Sequence, residues 1–297
     1  AGEADVAFAA FRPVAESQLE RLVASLVRER SVAALAANSY RMFDSFAGIA
    51  LAAGDEETAW RFAQYSALSD FAVATSRIRY PGDASGFVEL SNAIDEARKL
   101  ESAAREATAR GEADDGALAA ASQRTAALEA QLETNFADYR DAIAPRPLSI
   151  ADAQANIPPD AAYVLPLDME DRVTVIVVTR EGFFWDETVG GRFALRALVR
   201  RLRGSIEGSL VAPETAAPFD AAAARELHDL VLTPRIRAAI SGKTHLIFPA
   251  NGSLESIPPS LLLERDIVPG QPTPFLLRSF AISVSASLGQ QSVGGKG

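Results

Sequence analysis

The sequence predicts an α plus α/β fold, with an all-helical region over residues 1–145 and an α/β domain over residues 146–297. Three observations lead there. Before residue 145, apolar residues recur at three- and four-residue spacing in an alanine-rich background, which is the pattern of helices buried along one face. Two prolines then fall together at Ala144-Pro145-Arg146-Pro147, where a helix cannot continue. Beyond them, β-branched runs of strand length come first and then alternate with helical patterns.

In the helical region, Leu19, Leu22, Val23, Leu26 and Val27 place one apolar face on a helix over 14–30. A second apolar helix covers 31–51 and stops at Gly54. Asp55 is placed to cap the next helix, with Glu56 and Glu57 in the first turn, where the helix dipole favours acids. That third helix carries Trp60, Phe62, Ala63, Leu68, Phe71 and Ala72 and runs to about Arg79, with Pro81-Gly82 as its stop. The two helices around the Gly-Asp turn resemble a tetratricopeptide-type pair, but no second copy follows at the period of about 34 residues such repeats keep. Phe87, Leu90, Ile94 and Ala97 then give a helical stripe. Leu118, Thr125, Leu132 and Tyr139 recur every seven residues, with Ala121 and Leu128 between them, and Gly111 to Gly116 separates the two runs. This predicts a long antiparallel helical hairpin with coiled-coil-like packing, its stripe read as the hairpin's own core before any partner-binding face.

In the second region, strands are predicted over 161–167 and 173–179, joined by the polar turn Asp168 to Arg172, with Phe183-Phe184-Trp185 as a third. A basic amphipathic helix over 193–206, a loop over 211–218 and a helix over 219–232 follow. Thr233 and Pro234 open a further short helix as cap and first residue. The last strands fall at 245–249 and 280–286.

Composition narrows the function. About half the chain is apolar (48%) and the formal net charge is −10, the wrong sign for non-specific nucleic-acid binding or for anionic lipid. No run approaches the roughly 18 apolar residues of a membrane span. With no cysteine there is no disulfide to assign a compartment, and a cytoplasmic setting is slightly favoured over a secreted or periplasmic one. The chain begins at Ala1 rather than Met, as a processed protein or an excised segment would. The Gly-rich end Ser292 to Gly297 reads as a cut end or a loop.

The chemistry-bearing motifs are sparse. Ser241-Gly242-Lys243-Thr244 ends like a phosphate loop, but Arg237 stands where the first glycine belongs and the strand and helix are in reverse order. Neither a dinucleotide fingerprint nor a hydrolase nucleophile elbow occurs. His228 and His245 lack a second ligand at zinc spacing and read as structural residues. Asp168, Glu170 and Asp171 offer oxygen ligands to a cation, or simply a solvated hairpin turn, which is the commoner use of such a cluster. Arg196, Arg200, Arg201 and Arg203 make a basic island, either a solvated helix face or a seat for an acidic partner. Asn251-Gly252-Ser253 matches a glycosylation acceptor. No catalytic, cofactor-binding or metal-binding residue is assigned, and no cofactor is indicated.

Five segments, in order, resemble the CHAT family of caspase-like domains, which often follow tetratricopeptide repeats. They are Pro159 to Leu165, Val173 to Glu181 with the Phe-Trp run after it, Leu227 to Pro234, Leu246 to Leu262 and Ser279 to Leu288. The resemblance covers about 157–288 and implies a partial caspase-like α/β sheet domain. Family members that are peptidases use a Cys thiolate on the peptide carbonyl and a His that handles protons. Both come from later motifs, an HxxTHG-like segment and a Cys-bearing strand, that this sequence does not contain. The resemblance therefore implies the non-catalytic first part of a cysteine peptidase, with the helical region recognising a protein partner or substrate. A protein-interaction scaffold without peptidase ancestry, and a pseudoenzyme, are the alternatives. Oligomeric state is left open.

Overall fold

The computed structural model describes residues 2–28, 33–67, 84–110, 115–136, 147–211, 218–249, 252 and 254–285. The chain divides into two compact units. One joins residues 1–22 and 31–72 to residues 147–297; the other holds residues 23–30 and 73–146. The first helices thus share a unit with the sheet, although the sequence pattern changes only at 145–147, and residues 137–146 lie outside the described residues.

The larger unit is built on a five-stranded sheet of β1 (Ala161–Asp168), β2 (Arg172–Thr179), β3 (Phe183–Val189), β4 (His245–Pro249) and β5 (Ala281–Ser285). Its order is β3-β2-β1-β4-β5. The first three strands form an antiparallel meander, whereas β4 runs parallel to β1 and β5 parallel to β4. β1 and β2 carry almost unbroken apolar runs, AAYVLPLD and RVTVIVVT, and are buried nearly throughout. Such strands need cover on both faces.

On one face, Ala162, Val164, Val173, Val175, Val177, Leu246 and Phe248 share a core with α7 (Gly191–Val211) and α8 (Ala221–Val231). The short α9 (Pro234–Ala239) joins them, and Thr233 caps it by accepting from the Ile236 N–H at 3.2 Å. The register places Tyr163, Leu165, Ile176 and Val178 on the other face. There Trp60 sits fully buried, its ring edge-on to Tyr163 and to Phe183, each at 6.1 Å between centroids. Trp60 belongs to α3 (Glu56–Ser66), which pairs with α2 (Ala33–Ala52). Asp55 caps α3 through the Thr58 N–H at 3.0 Å, as the sequence predicts. Phe43 and Phe46 of α2 meet Phe62 of α3, and Phe46 also stacks on Phe8 of α1 (Gly2–Arg28) at 5.5 Å. The amide of Gln64 mimics a strand, donating to the Leu148 carbonyl and accepting its N–H, both at 2.9 Å. That contact precedes α6 (Ile150–Asn156), a short helix capped by Ser149 that the sequence reading did not include.

The smaller unit contains α4 (Ala84–Ala109) and α5 (Asp115–Asn135), packed on each other. Ile94, Ala97, Thr125 and Leu132 are buried, in keeping with the heptad stripe. Phe87 meets Phe136 edge-on at 5.7 Å, Arg98 pairs with Glu129, and Ser122 donates to Glu101 at 3.0 Å. The Ser122 hydrogen bond is the main cause that holds the Glu101 carboxyl below its ordinary pKa, with Thr125 adding to it. Leu68, Phe71, Ala72, Pro81-Gly82, Tyr139 and most of the Gly111 to Gly116 turn lie outside the described residues.

Trp60→Ala is expected to cost about 3–5 kcal/mol in urea unfolding, the range for emptying a buried aromatic site. Trp60→Phe should cost clearly less, because the indole Nε1 has no hydrogen-bond partner among the described residues to lose. Equal losses would show that the indole's volume is not what holds α3 to the sheet.

Candidate functional site

Because β1, β4 and β5 are parallel, their C-terminal ends share one edge of the sheet, where ligand sites of open α/β sheets form. β1 ends there at Asp168, and the turn Met169 to Asp171 leads into β2. β3 ends on the same edge in Gly190-Gly191, both at positive φ (138° and 55°). A Cβ on Gly191 would lie 2.1 Å from the Glu170 carbonyl oxygen, so only glycine lets this turn close over the hairpin. Arg192 follows. Its backbone N–H donates to the Met169 carbonyl at 2.8 Å and its guanidinium to the Asp168 carbonyl at 2.5 Å.

Asp44 of α2 enters this corner. Its carboxyl hydrogen-bonds the Ser66 hydroxyl and accepts from the Asp168 backbone N–H. Beside it, Met169 fills the space against Gly48, where a Cβ would come within 2.6 Å of the Met169 Sδ and Cε. Burial is the main force on Asp44, with the Asp168 carboxylate adding repulsion, while Ser66 and Arg192 oppose both. The balance pushes its pKa from 3.8 up to about 7. A protonated Asp44 can donate to Ser66 Oγ while that hydroxyl donates to the Ala63 carbonyl at 2.9 Å, so every polar hydrogen is used. The cluster therefore holds a proton near neutrality. Its groups are spent on one another across α2, α3, β1 and the start of α7, which makes it a joint between the helix pair and the sheet.

The residues singled out by sequence fall elsewhere. His228 is buried in α8, its Nδ1 3.0 Å from Arg225 and 3.1 Å from Asp229, and desolvation lowers its pKa. Arg225 also donates to the carbonyls of Leu263 and Glu264, so this network pins the segment 263–264 to α8. His245 opens β4, with its Nε2 2.8 Å from Ser283 Oγ on β5. That pair sits toward the N-terminal ends of the strands, the opposite edge from the site, and is read as a strand-to-strand hydrogen bond. Asp171 pairs with Arg172, which also reaches Glu187, while Asp168 turns into the corner. Among the described residues no group of three acidic, His or Cys side chains is placed to hold a metal. Lys243 donates to the Pro159 carbonyl at 2.7 Å and to Glu181 at 2.5 Å, and it follows Gly242 at φ 80°, so the phosphate-loop ending is a turn tied to the protein itself. Asn251 and Ser253 lie outside the described residues.

Sequence reasoning did not single out Asp44, Ser66 or Arg192. The one signal for Asp44 was its position, a single acid between Phe43 and Phe46 in an apolar helix. In comparisons with known proteins, no family model, no curated protein and no solved structure matches this chain. What the fold defines is a layered α/β protein, with a mixed sheet between two helical layers. Among the described residues no helix is long and apolar enough to cross a membrane.

Asp44 gives a signed pH prediction. Its pKa is higher folded than unfolded, so its stabilising contribution is complete below about pH 4 and is lost as pH rises through about 7. His228, whose pKa is lowered, works the other way, costing stability as pH falls. Urea unfolding of the wild-type protein and Asp44→Asn across pH 4–8 separates the two contributions. The Asn variant should gain on the wild type as pH rises, and parallel curves would disprove the proton-holding role. Gly191→Ala should cost about 1–3 kcal/mol at any pH in that range. Gly48→Ala should cost much less, because the end of the Met169 side chain can move aside.

Proposed function

We propose that this chain is the recognition and support portion of a CHAT-type, caspase-like cysteine peptidase, in which the α/β unit braces a catalytic half and the helices engage a protein partner or substrate. The observation that carries this reading is the sheet. Helices cover both faces of its apolar strands β1 and β2, β4 and β5 extend it in parallel from β1, and among the described residues the outer edge of β5 pairs with no strand. Open edges are templates for further pairing, and the CHAT-like segments run in order into β5, the strand at which a catalytic half would join. In this reading the Cys nucleophile and its His partner would be supplied from outside these 297 residues, which contain no cysteine. Asp44 has no catalytic part in this reading. It keeps the helix pair seated on the β1 end of the sheet.

The absence of cysteine also favours a second reading, a non-enzymatic protein-interaction scaffold or pseudoenzyme using the same surfaces. Sequencing the parent reading frame past Gly297, with a peptide-cleavage assay of the full parent protein before and after thiol alkylation, separates the two. A downstream His and Cys with cleavage abolished by alkylation is the expected result. No such pair, or cleavage indifferent to alkylation, would leave the scaffold reading.

A further inference from the structure

We infer that the exposed face of α7 is a docking surface for an acidic peptide segment that carries apolar side chains, supplied by a partner protein. The inner face of α7 is accounted for by Leu195, Leu198, Val199 and Leu202, all in the core. The outer face begins with Phe193, which is 74% exposed in the first helical turn. Three and seven residues after Phe193, and so on the same side of the helix, come Arg196 and Arg200. The exposed ring and the two arginines together give this side of α7 a mixed apolar and cationic surface.

The arginines of the basic island divide into two pairs. Arg201 is held by Asp220 at 3.1 Å and Glu226 at 3.9 Å, and Arg203 by Glu207 at 2.6 Å. Arg196 and Arg200 are exposed and make no ion pair with any described residue. On a chain of net charge −10, two guanidinium groups that pair with no acid among the described residues, beside an exposed aromatic ring, form a local reversal of sign. Guanidinium groups take carboxylates through two parallel hydrogen bonds, and the exposed Phe193 ring offers apolar contact alongside. The complement of this face is a segment in which Asp or Glu flanks Leu, Phe or Trp. The arrangement stands whether or not the chain belongs to a peptidase.

A random-peptide display library panned on the intact chain tests this. Enriched peptides are expected to place Asp or Glu next to Leu, Phe or Trp. By fluorescence polarisation, their affinity should fall at least about tenfold on Arg196→Glu/Arg200→Glu and several-fold on Phe193→Ala, and should weaken with added salt. These side chains are exposed, so the variants should melt like the wild type, which separates lost binding from lost folding. Enrichment without acidic residues, or equal binding by the charge-reversed variant, would overturn the inference. So would binding only to phosphatidylserine vesicles, with no peptide bound, because the face would then be a lipid surface.

Discussion

Everything in the larger unit depends on the double-sided burial of β1 and β2. Their side chains point alternately to two faces, and nearly every one is apolar and buried. A sheet of this kind is stable only when helices take water from both sides. α7 and α8 supply one layer from the chain that follows the meander. The second layer comes from far earlier in the chain, where Trp60 brings α3 onto Tyr163 and Phe183. The helices and the sheet are therefore one folding problem. This is why residues 1–22 and 31–72 belong to the same unit as residues 147–297, while the α4–α5 hairpin between them keeps its own core.

The polar contacts follow from that layering. Wherever helix and sheet meet, backbone and side-chain polar groups lose water and must find partners within the protein. Gln64 meets the need at Leu148 with a strand-like pair of bonds, and Arg225 meets it at the carbonyls of Leu263 and Glu264. Asp44 meets it by holding a proton, since a second carboxylate, Asp168, shares its corner and one guanidinium does not balance both. Desolvation and the Asp168 charge thus favour the acid form of the joint over its charged form. The tie between helix pair and sheet is the most pH-sensitive of these contacts, and it lies at the same edge of the sheet as the two-glycine turn that starts α7.

Much of the architecture was legible in the sequence because it is written in short-range patterns. The unbroken apolar runs of β1 and β2, the Asp55 cap, the Thr233-Pro234 start of α9 and the basic helix α7 each depend on residues close together in the chain. The corner was not legible. Asp44 and Asp168 are more than a hundred residues apart, and neither belongs to a recognisable motif. The histidines drew attention by residue type, yet His228 bonds within its own helix to Arg225 and Asp229, and His245 hydrogen-bonds across two strands to Ser283.

Taken alone, the sequence determined the kinds of element, the acidic charge, the absence of a cysteine nucleophile and the division of α7 into a buried and a basic face. These are local or compositional properties, set by the period of side chains along a helix or strand and by counting charges. Tertiary structure alone decided which helices cover which face of the sheet, which arginines of α7 are spent on acids of the same chain, and that Asp44 stands beside Asp168. Those outcomes depend on distance through space between residues remote in the chain, and burial, charge pairing and proton affinity all follow from that distance.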